Sequence, residues 1–254
     1  MQSGSVIMPV QVTDCSFGYR KGSRVLDSFS LSLGRGCSVL LGPNGAGKST
    51  LLGLIASALR PETGRITLDG LDTSSSKDLK AYRRRVGWLP QQVRPVPGLR
   101  VREQAAYAGW LKGMSRSEAW ERSQRAIDKV GLTSLADRRS GELSGGQLRR
   151  LGIAQTLVHD AQVVLLDEPT AGLDPVQRGV FRELIGELRH LTSFVVSTHQ
   201  TEDLAEIYDS VVVLDRGTVR HQGPIGSFLA LAPHDASAER RAETAYASIV
   251  TGEV

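Results

Sequence analysis

The sequence predicts an α/β fold with a mainly parallel sheet, an antiparallel β edge and an inserted helical lobe. Three features lead there. Short aliphatic runs alternate with helix-period stretches at both ends of the chain, the region from Val101 to Val130 turns helical throughout, and a glycine-rich segment joins the first buried run to the first helix. Of 254 residues, 40% are hydrophobic and 23% charged, the balance of a folded chain rather than a disordered one.

Taken in order, Val10 to Phe17 partly alternates apolar and polar residues, the pattern of an exposed edge strand. Val39-Leu40-Leu41 is a short apolar run stopped by Gly42-Pro43, a buried strand ending in a turn. Leu51 to Leu59 has helical spacing, with Leu51, Leu54, Ile55 and Ala58 on one face. Ile66 to Leu68 and Val86 to Leu89 predict further strands, and Val101 to Leu111 a helix. Ser115-Arg116-Ser117-Glu118 has the form of a capping box that opens the next helix. Another helix follows Ser144-Gly145-Gly146, from Gln147 to Val158. Val163 to Leu166 is four consecutive aliphatics before acid, a strand buried on both faces. Helix Pro175 to His190, strand Phe194 to Ser197, helix Glu202 to Tyr208 and strand Val211 to Leu214 continue the alternation. Near the C-terminus Ala242, Ala245, Tyr246 and Ile249 share one helical face, which predicts a docking helix.

Composition narrows the function classes. The net charge of +4 and a pI near 9.3 are a mild excess for this length. The densest basic stretch, Lys77 to Arg102 with Arg83, Arg84 and Arg85, has no aromatic ladder, so it reads as a solvated face and no nucleic-acid partner is expected. Cys15 and Cys37 form no CxxC or Cys/His cluster, which predicts free thiols and no cysteine metal site. No basic segment leading into an apolar stretch opens the chain, so no secretory signal is expected. The clearest apolar runs are far too short to span a bilayer, so service to a membrane requires another chain.

Gly42-Pro43-Asn44-Gly45-Ala46-Gly47-Lys48-Ser49 fits GxxxxGK[ST], with Thr50 after it, between a predicted strand and a predicted helix. Glycines let the backbone turn successive N–H groups inward onto phosphate oxygens, and the helix N-terminus adds its partial positive charge. Lys48 is then placed to neutralise the β and γ phosphates, and the Ser49 hydroxyl to ligate Mg²⁺. Asp167 and Glu168 end a buried strand, the position at which parallel sheets present their ligands. Asp167 suits the Mg²⁺ water shell, and Glu168 suits polarising an attacking water. His199 also ends an apolar strand and is assigned a γ-phosphate contact.

A phosphate loop alone leaves kinases, GTPases and helicases open. Leu143-Ser144-Gly145-Gly146-Gln147, lying between that loop and Asp167-Glu168, is where the chain resembles the ABC ATPase family. The resemblance runs from about Val10 to about Gln222 and implies a P-loop NTPase core whose LSGGQ segment closes on ATP held by a second subunit. It further implies adenine stacking by Tyr19 and Mg²⁺ contact by Gln91, preferred over neighbouring Gln92 for its spacing from Gly87. In the same family Asp174, in Ala171-Gly172-Leu173-Asp174, touches the partner subunit. The expected ligands are ATP and Mg²⁺, the latter on Ser49, Gln91 and Asp167. The expected partners are a second ATPase subunit, as a homodimer, and an integral-membrane permease, with the chain peripheral on the cytoplasmic face of the membrane. Residues 1–222 are expected to form the ATPase domain, with its helical lobe at about 92–160, and residues 223–254 a short helical tail. The wording of the motifs, Leu151-Gly152-Ile153-Ala154-Gln155 among them, resembles bacterial exporters with a separate permease. An importer subunit and a soluble ATPase acting on ribosomes or DNA are the alternatives.

Overall fold

A computed structural model describes residues 10–20, 22–204, 207–233, 236–237 and 240–251. In chain order the elements are β1 (Val10–Phe17), β2 (Leu26–Leu33), β3 (Cys37–Leu41), α1 (Lys48–Ile55), β4 (Thr63–Leu68), β5 (Leu71–Asp72), α2 (Leu79–Arg85) and β6 (Val86–Leu89). They continue with α3 (Val101–Leu111), α4 (Arg116–Lys129), α5 (Gly145–Leu157), β7 (Val163–Asp167), α6 (Pro175–Leu188) and β8 (Ser193–Thr198). The last are β9 (Ser210–Asp215), β10 (Thr218–Pro224), α7 (Ile225–Leu229) and α8 (Arg241–Thr251). Two compact units result, Met1–Tyr82 with Ser193–Val254, and Arg83–Thr192.

In the first unit, β3 pairs in parallel with both β8 and β9, and all five of its residues are buried. Its continuous apolar run is what a strand covered on both faces requires. Strand β10 returns antiparallel along β9 after a turn at Arg216 and Gly217, whose φ values of 47° and 73° are left-handed. A separate antiparallel sheet has the order β2-β1-β4-β5. Here the structure corrects the expectation of an exposed edge: β1 pairs with β2 on one side and β4 on the other. Its polar residues made it look half-solvated. The register shifts between Val12 and Phe17, and Asp14 takes φ 49° in that bulged stretch.

Helix α1 is buried nearly all round rather than on one face, and it stops at Ile55, leaving Ala58 exposed beyond it. Ser57 turns left-handed at φ 54°, and the Ala58 and Leu59 amides donate back to the Gly53 carbonyl, which satisfies the helix end. Tyr82 of α2 is fully buried and donates its hydroxyl to the Ile55 carbonyl at 2.6 Å. The helix expected over Glu202–Tyr208 begins instead as a 3₁₀ turn, Thr201–Asp203; residues 205–206 lie outside the described residues. The helix expected near the C-terminus is α8, with Ala245 buried; it packs against α7, β10 and the Thr201–Asp203 turn.

In the second unit β6 and β7 pair in parallel, with Leu89 opposite Leu166. Helices α3, α4 and α5 pack on one another as the lobe. Helix α4 is opened as its sequence predicts, Ser115 Oγ accepting the Glu118 N–H at 3.2 Å. Buried Gln104 orders the segment ahead of α3, donating to the Arg94 carbonyl at 3.2 Å and accepting from the Val96 amide at 2.9 Å. Arg83 and Arg84 are exposed in the last turn of α2, where cations suit the helix dipole.

Candidate functional site

In the first unit the phosphate loop connects the end of β3 to the start of α1. Gly42 is obligatory for a reason of space: a Cβ there would lie 2.1 Å from the Leu214 carbonyl oxygen at the end of β9. Gly47, at φ 102°, caps α1 without a side chain, so the amides that open the helix are not shielded by one. Lys48 is buried, and its ammonium lies over the loop, donating to the carbonyls of Gly42 at 2.7 Å and Pro43 at 3.0 Å. A buried cation inside a ring of backbone dipoles fits a polyphosphate.

Tyr19 and His199 are brought to the same loop. The Tyr19 hydroxyl lies 3.2 Å from Thr50 Oγ1, and its ring meets Phe17 edge-on at 5.1 Å. The ring is otherwise open, 65% exposed, as a stacking platform needs to be. Thr198 accepts the Gly42 amide through its carbonyl at 3.2 Å, so His199, the next residue, is set at the mouth of the loop. Thr198 is itself fixed by buried Asp203, which accepts its hydroxyl at 2.7 Å, while Thr198 Oγ1 accepts the Gln200 amide at 3.1 Å. In the sequence Ser197-Thr198-His199 ahead of Glu202-Asp203 belongs to the exporter-like wording, with Thr198 and Asp203 given no part in the site. The structure adds the Thr198–Asp203 hydrogen bond, whose signal was an acid four residues beyond a strand-end histidine.

In the second unit the β6–β7 register carries Gln91 and Glu168 out together, each two residues past the paired Leu89 and Leu166. Gln91 Nε2 donates to Glu168 Oε2 at 3.2 Å. That leaves the Gln91 carbonyl oxygen as the atom available to a cation. Asp167 is buried at the end of β7, and Glu168 turns left-handed at φ 43°. In the first unit Ser49 offers a hydroxyl, and in the second Gln91 and Asp167 offer an amide oxygen and a carboxylate. Within each unit these are hard donors of the kind Mg²⁺ takes alongside phosphate and water, rather than an all-protein cage. Among the described residues no cluster of three His, Cys, Asp or Glu side chains forms such a cage.

Ser144-Gly145-Gly146-Gln147 forms a complete capping box. Ser144 Oγ accepts the Gln147 amide at 3.3 Å and Gln147 Oε1 accepts the Ser144 amide at 3.0 Å. Gly145 and Gly146 occupy the first two helical positions, where no intrahelical acceptor exists for their N–H groups. A cleft of about 170 Å³ lies beside them, lined by Ser144, Gly146, Leu173 and Gln177 among others. Asp174 caps α6 by accepting the Gln177 amide at 2.8 Å, with Pro175 in the first turn. Arg149, which sequence reading did not single out, donates from α5 to the carbonyls of Glu168 and Ala171. Its clue was an arginine entering a helix whose next residues, Leu151 to Ala154, are all buried.

The chain is similar to known ATP-binding proteins over most of its length. The family model described as "ABC transporter" matches residues 26–171. The cobalt import ATP-binding protein CbiO of Rhodobacter capsulatus is 38% identical over 218 residues, spanning 84% of this chain and 78% of its own length. The daunorubicin/doxorubicin resistance ATP-binding protein DrrA of Streptomyces peucetius is 34% identical over 232 residues, spanning 87% of this chain and 70% of its own. Among solved structures, the dimeric post-hydrolysis state of the ATP-binding cassette MJ0796 with ADP and Pi superposes with a TM-score of 0.74 at 26% identity. It covers 85% of this chain and 98% of that one. With a phosphate loop, an acid pair at a strand end and an LSGGQ-capped helix in one α/β chain, the protein belongs to the ABC transporter family, as an ATP-binding and ATP-hydrolysing subunit.

Proposed function

We propose that this subunit powers export of a small molecule, drug, lipid or polysaccharide through a separate membrane permease, working as a pair with a second copy of itself. The observation that carries the paired reading is the second donor cluster. The chain has one phosphate cradle at Gly42 to Thr50, and Gly145 and Gly146 present further amides with no intrahelical acceptor. One γ-phosphate does not need two cradles from one chain, so Ser144, Gly145, Gly146 and Gln147 serve the nucleotide of the other copy, and Asp174 meets that copy's loop.

In this mechanism Tyr19 stacks on adenine, and the Gly42 to Thr50 loop holds the phosphates. Mg²⁺, when bound through Ser49, Gln91 and Asp167, supplies neutralisation of developing phosphate charge. Glu168 takes the proton of the attacking water, with Gln91 fixing one of its oxygens at 3.2 Å. His199 donates to the γ-phosphate. The ATPase domain is assigned to residues 1–222, with its helical lobe at about 92–160, and a helical tail to residues 223–254. Among the described residues no helix is long and apolar enough to cross a membrane. A groove of about 640 Å³ on the lobe, floored by Leu99, Tyr107, Trp110 and Trp120, exposes about half of each tryptophan. Exposed aromatics of this kind suit a partner helix, here one from the permease on the cytoplasmic face.

Resemblance to the resistance protein DrrA and the motif wording favour export; resemblance to CbiO favours import as the second reading. Copurification of tagged Glu168→Gln chain with ATP from detergent-solubilised membranes identifies the permease by mass spectrometry. The wild-type complex in inside-out vesicles then gives the direction. ATP-driven accumulation of substrate inside such vesicles is the expected result. ATP-driven depletion selects import, and ribosomal or DNA-repair partners in place of a permease refute transport.

A further inference from the structure

Arg149 lies one turn into α5, four residues beyond Gly145. Its Nη1 donates to the Glu168 carbonyl at 3.0 Å and its Nη2 to the Ala171 carbonyl at 3.4 Å. Those two carbonyls bracket the turn after β7. The turn is closed from inside by the Ala171 amide, which also donates to the Glu168 oxygen, at 3.1 Å, and by the Leu173 amide, which donates to Thr170 at 3.1 Å. Glu168 starts the turn in a left-handed conformation, φ 43°, which a residue with a Cβ adopts only where surrounding contacts hold it. The guanidinium is a planar fork with fixed donor directions, so it can hold two carbonyls at a set spacing, whereas an ammonium offers one compact point of contact. Burial pulls the Arg149 pKa below the usual arginine value, yet arginine remains charged at neutral pH.

We propose that Arg149 is a positioning residue for hydrolysis, fastening the LSGGQ helix to the turn that carries Glu168. Capture of the other copy's nucleotide at Gly145 and Gly146 then bears on the aim of the general base through one side chain. The same turn runs on to Asp174, so the segment that meets the partner is held by the same fork. The inference rests on the reading of Glu168 as base and of α5 as the shared cradle. A shift of about 1 Å in a catalytic group can lower a rate about 10²-fold, which sets the scale of the expected loss.

The test uses the full chain carrying Arg149→Met, Arg149→Lys or Glu168→Gln. Phosphate release at saturating Mg-ATP is measured beside equilibrium binding of a fluorescent ATP analogue and thermal melting. Arg149→Met is expected to lose at least about tenfold in kcat with nucleotide Kd within about twofold of wild type. Arg149→Lys, keeping a donor at the same place, is expected to recover part of that rate. Wild-type kcat in Arg149→Met, or a loss matched by equal loss of nucleotide binding in both Arg149 variants, overturns the proposal. If Arg149→Met does not fold, the lysine variant decides alone: reduced kcat at unchanged Kd supports the fork, and unchanged kcat overturns it. Glu168→Gln separates the two layers. Wild-type turnover there removes the base reading itself; an inactive Glu168→Gln beside an unslowed Arg149→Met leaves the base standing and removes Arg149.

Discussion

Gly42 and Gly45 both belong to the phosphate loop, yet the structure requires glycine at each for a different reason, and the difference is measurable. A Cβ on Gly42 lands 2.1 Å from the Leu214 carbonyl oxygen, whereas one on Gly45 meets nothing within 4 Å and suffers only from its φ of 82°. Ordinary contact begins at 3.4 Å, so Gly42→Ala must part the loop from the end of β9 by about 1.3 Å. Neither side yields readily. Leu214 is a fully buried residue of β9, and Gly42 donates its amide to Thr198. Overpacking of this kind costs about 1–3 kcal/mol, which for a chain of this size lowers Tm by roughly 2–4 °C per kcal/mol. The same displacement moves Lys48 and the loop amides, and a misplacement near 1 Å carries a rate loss of about 10²-fold. Gly45→Ala should cost about 1–2 kcal/mol through its left-handed backbone alone, with nothing pushed aside. The assay is thermal melting with steady-state phosphate release for both variants side by side. Gly42→Ala with wild-type Tm and rate, or Gly45→Ala as the more damaged in both, refutes the steric argument.

Three other outcomes are expected. Tyr82→Phe leaves the Ile55 carbonyl at the end of α1 without its 2.6 Å donor and should destabilise by about 1–3 kcal/mol, read as a denaturant midpoint shift. Burial, with the Lys112 ammonium adding to it, lowers the His159 pKa to about 4, against 6.5 when free. The unfolded chain therefore binds more protons between these values, so stability is held above pH 6.5 and falls by about 3 kcal/mol as pH drops to 4. His159→Asn should flatten that part of a stability–pH curve, and an unchanged slope removes His159 as its source. Ala245→Asp places a carboxylate at a fully buried position on α8 and should detach that helix, giving early protease cleavage after residue 240 and a lower Tm. Resistance equal to wild type would show that α8 is not held through Ala245.

Much of the molecule was legible in the sequence because its information was local. Val163 to Leu166 announced β7 by four consecutive aliphatics, and Val101 to Leu111 announced α3 to the residue. Ser115 and Glu118 stand at capping-box spacing, and Ser115 Oγ accepts the Glu118 amide at the start of α4. Strand β2 escaped notice because its buried residues Leu26, Phe29, Leu31 and Leu33 break the two-residue period at the bulge near Ser28, φ 47°. The role of β1 as an interior strand of its sheet was invisible, since its neighbours β2 and β4 are distant pairings that its own alternation does not encode.

The sequence alone determined which chemical groups are present and where each meets the end of a helix or strand: Lys48 at the start of α1, Asp167 at the end of β7, Ser144 at the cap of α5. Those are consequences of short-range spacing, which the covalent chain carries in full. Only the tertiary structure decided that Gln91 meets Glu168 at 3.2 Å across 77 residues, that Leu214 leaves no room for a Cβ on Gly42, and that Arg149 ties α5 to the turn after β7. Each of these is a contact between segments far apart in the chain. Its geometry follows from the register of parallel strands and the close packing of a buried core, and neither is written in any local run of residues.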